Sequence, residues 1–211
     1  MEDTPATPTE GRTRWRRFAL AAVPSAAAAG ALVVLMANGA IAASFAVSGQ
    51  SFQVSGDSLE GTGFVQFGSI DQSLGESPVP HPVVISAIRH AEITNLCQSV
   101  VTSLPLVGDI TLRITAGADA TKPVSADNLF IDLTQLDGDA SFQNIEIGRD
   151  ASTLDKGPAG AQGLQNLFGQ QADSVHIDHF QQTALSTNAG TFTLPGLHLA
   201  VASGNNPCFT P

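Results

Sequence analysis

The sequence predicts an all-β domain, an antiparallel curved sheet or a sandwich, preceded by an apolar N-terminal helix. Two observations predict the sheet. Apolar residues alternate with polar ones in many short segments, and turn residues recur about every 8–12 positions. A third observation, an uncharged stretch over residues 18–44 directly after four arginines, predicts the helix.

The first element is therefore a basic segment, residues 1–17, which carries Arg12, Arg14, Arg16 and Arg17. Basic residues beside an apolar run remain on the cytoplasmic side of a membrane. We expect residues 1–17 to be cytoplasmic and everything after the apolar run to lie across the membrane.

The second element, residues 18–43, has two interpretations. It has the basic flank and the Ala-x-Ala pattern of a signal peptide, which predicts cleavage near Ala42 or Ala43. It also reaches the roughly 20 apolar residues that a transmembrane helix needs. In either case residues 44–211 are expected to form an extracytoplasmic domain, either secreted or anchored in the plasma membrane.

That domain is strongly acidic. Sixteen acidic and five basic residues follow Ala42, a net charge of −11. Such a surface excludes nucleic acid and disfavours anionic lipid headgroups as direct partners, because both are negatively charged.

Alternation of apolar and polar residues predicts a series of strands. They lie near 45–47, 52–54, 64–67, 83–85, 110–114, 129–133, 142–147, 175–177, 192–194 and 197–201. One short helix is predicted near 159–171, where Leu164, Leu167 and Phe168 would share a face. Its glycines would keep it short.

The two cysteines, Cys97 and Cys208, both follow the apolar run. An even number of cysteines in an oxidising compartment predicts one disulfide, which would tie the C-terminal tail to the middle of the domain.

A weak internal repeat relates two segments 46 positions apart. Residues 126–132 read Ala-Asp-Asn-Leu-Phe-Ile-Asp, and residues 172–178 read Ala-Asp-Ser-Val-His-Ile-Asp. Two copies do not make a solenoid. Two explanations remain, recurring hairpins in one curved sheet or convergent strand composition.

Gly56-Asp57-Ser58-Leu59 matches the short signature of the G-D-S-L lipases and esterases, whose serine is the nucleophile. Asp173 and His176 have the D-x-x-H spacing that this group uses for its acid and base. This makes Ser58, Asp173 and His176 candidate catalytic residues. The surroundings favour a turn at 56–58 instead, because the apolar strand, the oxyanion block and the α/β alternation of those enzymes are missing.

The sequence predicts neither a metal nor a cofactor. His176, Asp178 and His179 are close together, but on a strand His179 would face the opposite side. No C-x-x-C or H-E-x-x-H motif occurs. Residues 137–139, Asp-Gly-Asp, are interpreted as a tight turn rather than a calcium loop.

Several blocks of sequence carry a resemblance. They are residues 11–19, 43–50, 61–68, 150–154, 156–158, 168–173 and 189–194. In this order they resemble an uncharacterised family of exported actinobacterial proteins, some of whose members are labelled cholesterol esterase. The resemblance implies a cell-envelope role and a small multi-spanning membrane protein as a partner.

Three hypotheses of function follow. The first is a non-enzymatic envelope domain whose curved sheet offers an apolar face to a lipid, another apolar ligand or a membrane-protein partner. The second is a secreted ester hydrolase, cholesterol-esterase-like, with Ser58 as its nucleophile. The third is a structural or adhesive surface module. We favour the first, and an enzymatic role is expected less than a binding role.

Overall fold

A computed structural model describes residues 46–47, 50–73 and 80–210. They belong to one compact unit, Ala42–Pro211. The described residues form eleven strands: β1 (Ala46–Val47), β2 (Phe52–Ser55), β3 (Ser58–Ser73), β4 (Pro80–Thr94), β5 (Leu96–Leu104), β6 (Gly108–Ala116), β7 (Val124–Gln143), β8 (Glu146–Asp150), β9 (Phe168–Asn188), β10 (Thr191–Thr193) and β11 (His198–Ser203). One 3-10 turn follows β8, at Ala151–Thr153.

The predicted all-β fold is confirmed. Every pairing between the described strands is antiparallel except that of β1 with β3. β5 was missed as a strand because it mixes serine, threonine and glutamine with its apolar residues.

The sheet closes on itself. β3 pairs with β4 along one edge and with β9 along the other, and β7 pairs with the same two strands. These four long strands therefore form a closed, barrel-like ring. β2 pairs with β9 as well, and from β2 the sheet continues outward through β5 and β6 to β11. We call β5, β6 and β11 the extension.

Residues 56 and 57 do not reverse the chain. β2 and β3 pair with the same neighbour, β9, in one unbroken register on both sides of this point. The Gly56 and Asp57 backbones keep that register, because Gly56 N donates to Phe180 O and Asp57 N donates to Thr94 O. The predicted turn is thus an interruption within one long strand.

The ring is filled by apolar side chains. The two copies of the internal repeat lie on β7 and β9, where the spacing of the inward-facing residues changes. In β7 the inward residues are Ala126 and then Leu129, and in β9 they are Ala172 and then Val175. Each strand thus takes one three-residue step instead of the usual two. In β7 the step contains Asn128, whose φ of 50° turns the next side chain inward. The repeat is a shared strand irregularity rather than a pair of hairpins.

A second apolar cluster lies outside the ring. Val65, Phe67 and Ala87 on the strands are covered by Ala151, Leu154 and Ala161 from the segment after β8. Gln171, fully buried beneath this segment, accepts hydrogen bonds from the Asp155 and Lys156 backbone N–H groups. The long connection is therefore held against the sheet and forms part of the core.

The helix predicted near 159–171 is wrong. Turns occupy this segment, and β9 begins at Phe168. The backbone bonds of Gly163 N to Ala151 O and of Ala151 N to Leu167 O replace helical bonds. The predicted apolar face is also not buried, because Leu164 and Phe168 are exposed.

The tight turn predicted at residues 137–139 is also wrong. Gly138 lies inside β7, where its φ of 154° accompanies a shift of register against β9. A side chain there would come within 2.6 Å of Ile177 Cγ2, so glycine serves a bulge rather than a chain reversal.

The basic segment 1–17, the apolar run 18–43 and the cleavage site near Ala42 and Ala43 lie outside the described residues. The part of the chain that is described contains no helix with the length and apolar character needed to cross a bilayer.

Candidate functional site

The extension has one apolar face without a cover. Residues directly opposite in neighbouring antiparallel strands share a face. In one row Val100 lies opposite Leu112, and Leu112 lies opposite Val201. In the next row Gln98, Ile114 and Leu199 are opposite one another. We define the open face as these residues with the row beyond them: Gln98, Val100, Thr102, Ile110, Leu112, Ile114, Leu199, Val201 and Ser203.

No residue of the open face is charged, and exposure increases toward the edge of the sheet. The β6 residues are half-buried, whereas Leu199 is 54% exposed and Val201 is 65% exposed. Large contiguous apolar patches are uncommon on soluble proteins and mark places where something binds.

The open face is the core face of the ring continued outward. Leu96 and Ala116, opposite each other at the inner end of the extension, belong to the main core. Val54, also in the core, lies opposite Gln98. The same apolar side of the sheet is thus closed in the ring and uncovered in the extension.

The other face of the extension is mostly polar, and the C-terminal tail, residues 204–210, covers it at Ser99 and Thr111. The predicted disulfide is present and joins Cys97 on β5 to Cys208 in the tail. Cys208 N donates to Ser99 Oγ at 2.9 Å, and Thr111 Oγ1 donates to Gly204 O at 2.7 Å. The chain therefore covers the face that water could solvate and leaves the apolar face open.

A cavity of about 500 Å³ lies beside this tail. Its lining residues are Ser51, Phe52, Gln53, Ser99, Val101, Asn205, Pro207 and Thr210. None of them is ionisable, and the Ser99 hydroxyl is already the acceptor for Cys208 N. The lining therefore offers polar and apolar contacts but no acid or base.

The structure places the three candidate catalytic residues with other partners. Ser58 Oγ is 2.8 Å from Thr94 Oγ1, and Ser58 N donates to the same oxygen at 3.1 Å. No hydrogen bond links Ser58 to His176 in the described part of the chain, so the serine has no base to activate it in this arrangement.

His176 lies between two carboxylates. Its Nε2 is 2.9 Å from Asp178 Oδ2, and its Nδ1 is 2.5 Å from Glu60 Oε1. The second contact lacks the alignment of a hydrogen bond and is an ion pair when the ring is protonated. The hydrogen bond to Asp178, and secondarily Glu60, raises the pKa of His176. Both carboxylates therefore favour the protonated form of the ring.

Asp173 lies on the same strand, β9, and contacts other residues. Lys156 Nζ lies 2.8 Å from its Oδ1, and Asn144 Nδ2 donates to its Oδ2 at 2.6 Å. The Lys156 contact, followed by that of Asn144, lowers the pKa of Asp173. The Asp173 carboxylate therefore holds the segment after β8 through Lys156 and does not orient His176.

Sequence reasoning missed a buried pair of acids. Asp71 is 7% exposed and Asp132 is 6% exposed. Ser186 Oγ donates to Asp132 Oδ2 at 2.5 Å, whereas Asp71 Oδ2 has no hydrogen-bond partner among the described residues. Burial, then the charge of Asp132, raises the pKa of Asp71 to about 6. The two aspartates are 61 positions apart in the sequence, and only the folded structure brings them together.

The described residues contain no group of three or more His, Cys, Asp or Glu side chains that could hold a metal ion. His179 lies 3.5 Å from Asp139 Oδ2 through its Nδ1.

One comparison identifies the family. Residues 48–209 match the model of a family of unknown function, DUF6230. The chain belongs to that family. The match includes the ring, the extension and both cysteines, so the open face and the disulfide lie within the family domain. No curated protein and no solved structure matches the chain.

Proposed function

We propose that this DUF6230 protein is a non-enzymatic cell-envelope domain that binds a lipid or the apolar surface of a membrane protein through its open face. One observation carries the proposal: the disulfide-bonded tail packs on the polar face of the extension, at Ser99 and Thr111, and the apolar face is left uncovered. A fold that only needed to be stable would cover the apolar face and leave the polar face in water.

The energetics favour an apolar partner. Full burial of a leucine or valine side chain contributes about 1.5–3 kcal/mol. Leu112, Leu199 and Val201 are already partly buried, so a ligand that covers all three gains roughly 2–4 kcal/mol before ordering costs are subtracted. The absence of any charge on the open face means that no ion has to be desolvated on binding.

Charge and cysteine usage support the location. The acidic surface opposes nucleic acid and anionic headgroups, which leaves uncharged apolar partners. A disulfide persists in oxidising compartments outside the cytoplasm. Together with the basic and apolar N-terminal segments, the Cys97–Cys208 bond supports an extracytoplasmic domain, either secreted or held by its N-terminal helix.

The test is a double substitution on the open face. We expect wild-type protein, gently extracted from membranes, to carry a lipid or a membrane-protein partner in native mass spectrometry. Leu199→Ser with Val201→Ser should lose it and remain folded, because both side chains are largely exposed. Ile70→Ser with Ile147→Ser is the matched control, since these two exposed residues lie outside the extension.

Wild-type protein that emerges without lipid or partner would contradict the proposal. So would equal retention by the two double variants.

A serine-reactive fluorophosphonate probe distinguishes the ester-hydrolase alternative from a binding role. We expect no labelling at Ser58, because its hydroxyl pairs with Thr94 and not with an imidazole. Labelling of wild-type protein that is lost in Ser58→Ala but kept in Ser152→Ala would favour the hydrolase instead.

A further inference from the structure

The hairpin that joins β5 to β6 ends in an apolar turn. We define the tip as residues 104–107, Leu-Pro-Leu-Val. Val107 N donates to Leu104 O at 3.3 Å, which closes a four-residue turn with Pro105 in its second position. The open face begins directly behind the tip, at Thr102 and Ile110.

Leu106 occupies a turn position that glycine or asparagine normally takes. Its φ is 70°, in the left-handed region. A turn with proline second and a positive φ third takes glycine or asparagine in the third position, because a bulky side chain is strained there. Leu106 is strained as well as apolar.

Leu106 also has no cover. Its relative exposure is 108%, and Val107 beside it is 69% exposed. Asn or Gly would remove both the strain and the contact of leucine with water. Since the fold gains nothing from this leucine, its side chain is explained by a contact outside the chain.

We propose that the tip inserts into the hydrocarbon of an uncharged lipid bilayer and so brings the open face to the membrane surface. This proposal rests on the proposed function and assigns the lipid bilayer as the partner of the extension.

Shape and charge favour a bilayer over a protein pocket. The tip is the convex end of a two-stranded hairpin, with leucine exposed on all sides, and fluid acyl chains can surround such an end. The charged residue nearest to it in sequence, Asp109, accepts a hydrogen bond from Ser103 behind the tip. Residues 103–110 contain no lysine or arginine, so headgroup attraction contributes nothing and uncharged lipid is preferred.

The experiment places a fluorescent reporter at the tip of the full chain. Val107→Trp is made in a Trp15→Phe background, which leaves a single tryptophan. The protein is mixed with phosphatidylcholine vesicles that contain brominated acyl chains. We expect a blue shift and strong quenching. Leu164→Trp in the same background is the control, because Leu164 is 75% exposed but distant in sequence from the extension, and its reporter should remain unquenched.

A second substitution separates function from folding. Leu106→Asn should raise the melting temperature, since asparagine adopts a positive φ more easily, and should remove most of the quenching at position 107. A loss of quenching caused by misfolding would be accompanied by a lower melting temperature.

Absence of quenching at position 107, or quenching that Leu106→Asn leaves unchanged, overturns the bilayer proposal. If Leu199→Ser with Val201→Ser still loses its bound lipid or partner, the proposed function stands and only the tip assignment fails. If that double variant also retains its ligand, both fail.

Discussion

Single residues with unusual backbone angles shape this sheet. Asn95, Asn128, Asn144 and His179 adopt φ values near 50° within or between long strands. Asparagine tolerates this region because its short polar side chain bonds locally. Each such residue changes which side chains face inward without ending the pairing of strands.

The buried acids give a prediction for single residues. The pKa of Asp71, about 6, is above its ordinary value of 3.8, so the folded state binds this proton more tightly than the unfolded state. The stability that it contributes is complete below about pH 4 and is lost as the pH rises through about 6. Asp71→Asn should therefore be more stable than wild type by about 1–2 kcal/mol at pH 7.5 and similar to it at low pH.

Urea unfolding at pH 4 and pH 7.5 measures this difference. Asp139→Asn is the control, because Asp139 is exposed on β7 and should change stability little at either pH. A variant at position 71 that follows the wild-type pH profile would show that burial does not raise the pKa of Asp71.

Among the elements, the segment after β8 depends on close approach to the ring. Lys156 O accepts a bond from Arg89 Nη2 at 2.6 Å, and Gly63 of β3 lies directly beneath. A Cβ on Gly63 would be 2.6 Å from Lys156 O, and φ there is +68°. Only glycine permits this contact between the strand and the covering segment.

Gly63→Ala should therefore destabilise the protein by about 2 kcal/mol or more, through steric contact and left-handed strain together. Gly68→Ala on the same strand is the matched control. Nothing lies within 4 Å of its Cβ, so we expect a neutral or slightly stabilising effect. Thermal unfolding of the two variants decides this, and equal melting temperatures would contradict the packing described.

At the scale of the whole molecule, the apolar side of the sheet is buried in one region and exposed in another. It is enclosed where β3, β4, β7 and β9 close the ring, and it is open where β5, β6 and β11 leave it. The disulfide joins β5 of the extension to the C-terminal tail across 111 residues of sequence.

Removal of the disulfide should destabilise the whole domain. A cross-link that closes a loop of this length stabilises by about 3–5 kcal/mol, chiefly by restricting the unfolded chain. Cys97→Ser with Cys208→Ser should lose that amount and expose the amides of Asn206 and Cys208 to hydrogen exchange. Lipid or partner retention should persist, because the tail covers the opposite face from the open one.

Mass-spectrometric hydrogen exchange and denaturant unfolding of the double variant measure both effects. Unchanged stability and protected tail amides would mean that the tail is held without the disulfide.

Much of this fold was predictable from local patterns. The positions of most strands and the disulfide followed from alternation and cysteine count, because a strand has a period of two and an oxidised domain pairs its thiols. The short helix predicted near 159–171 does not form, because its leucines reach no core and its backbone bonds to Ala151 instead. In the structure Ser58 contacts Thr94 and His176 contacts Glu60, the residues that strand register places opposite them.

The amino-acid sequence alone determined the secondary-structure class, the acidic character, the cysteine pair and the expectation of export, all of which depend on residue type and spacing. Tertiary structure decided which apolar residues are enclosed and which remain open, and it brought Asp71 and Asp132 together. The physical reason is that burial depends on pairing between strands far apart in the chain. Leu129 and Leu199 follow the same alternating pattern, yet one fills the ring and the other faces solvent.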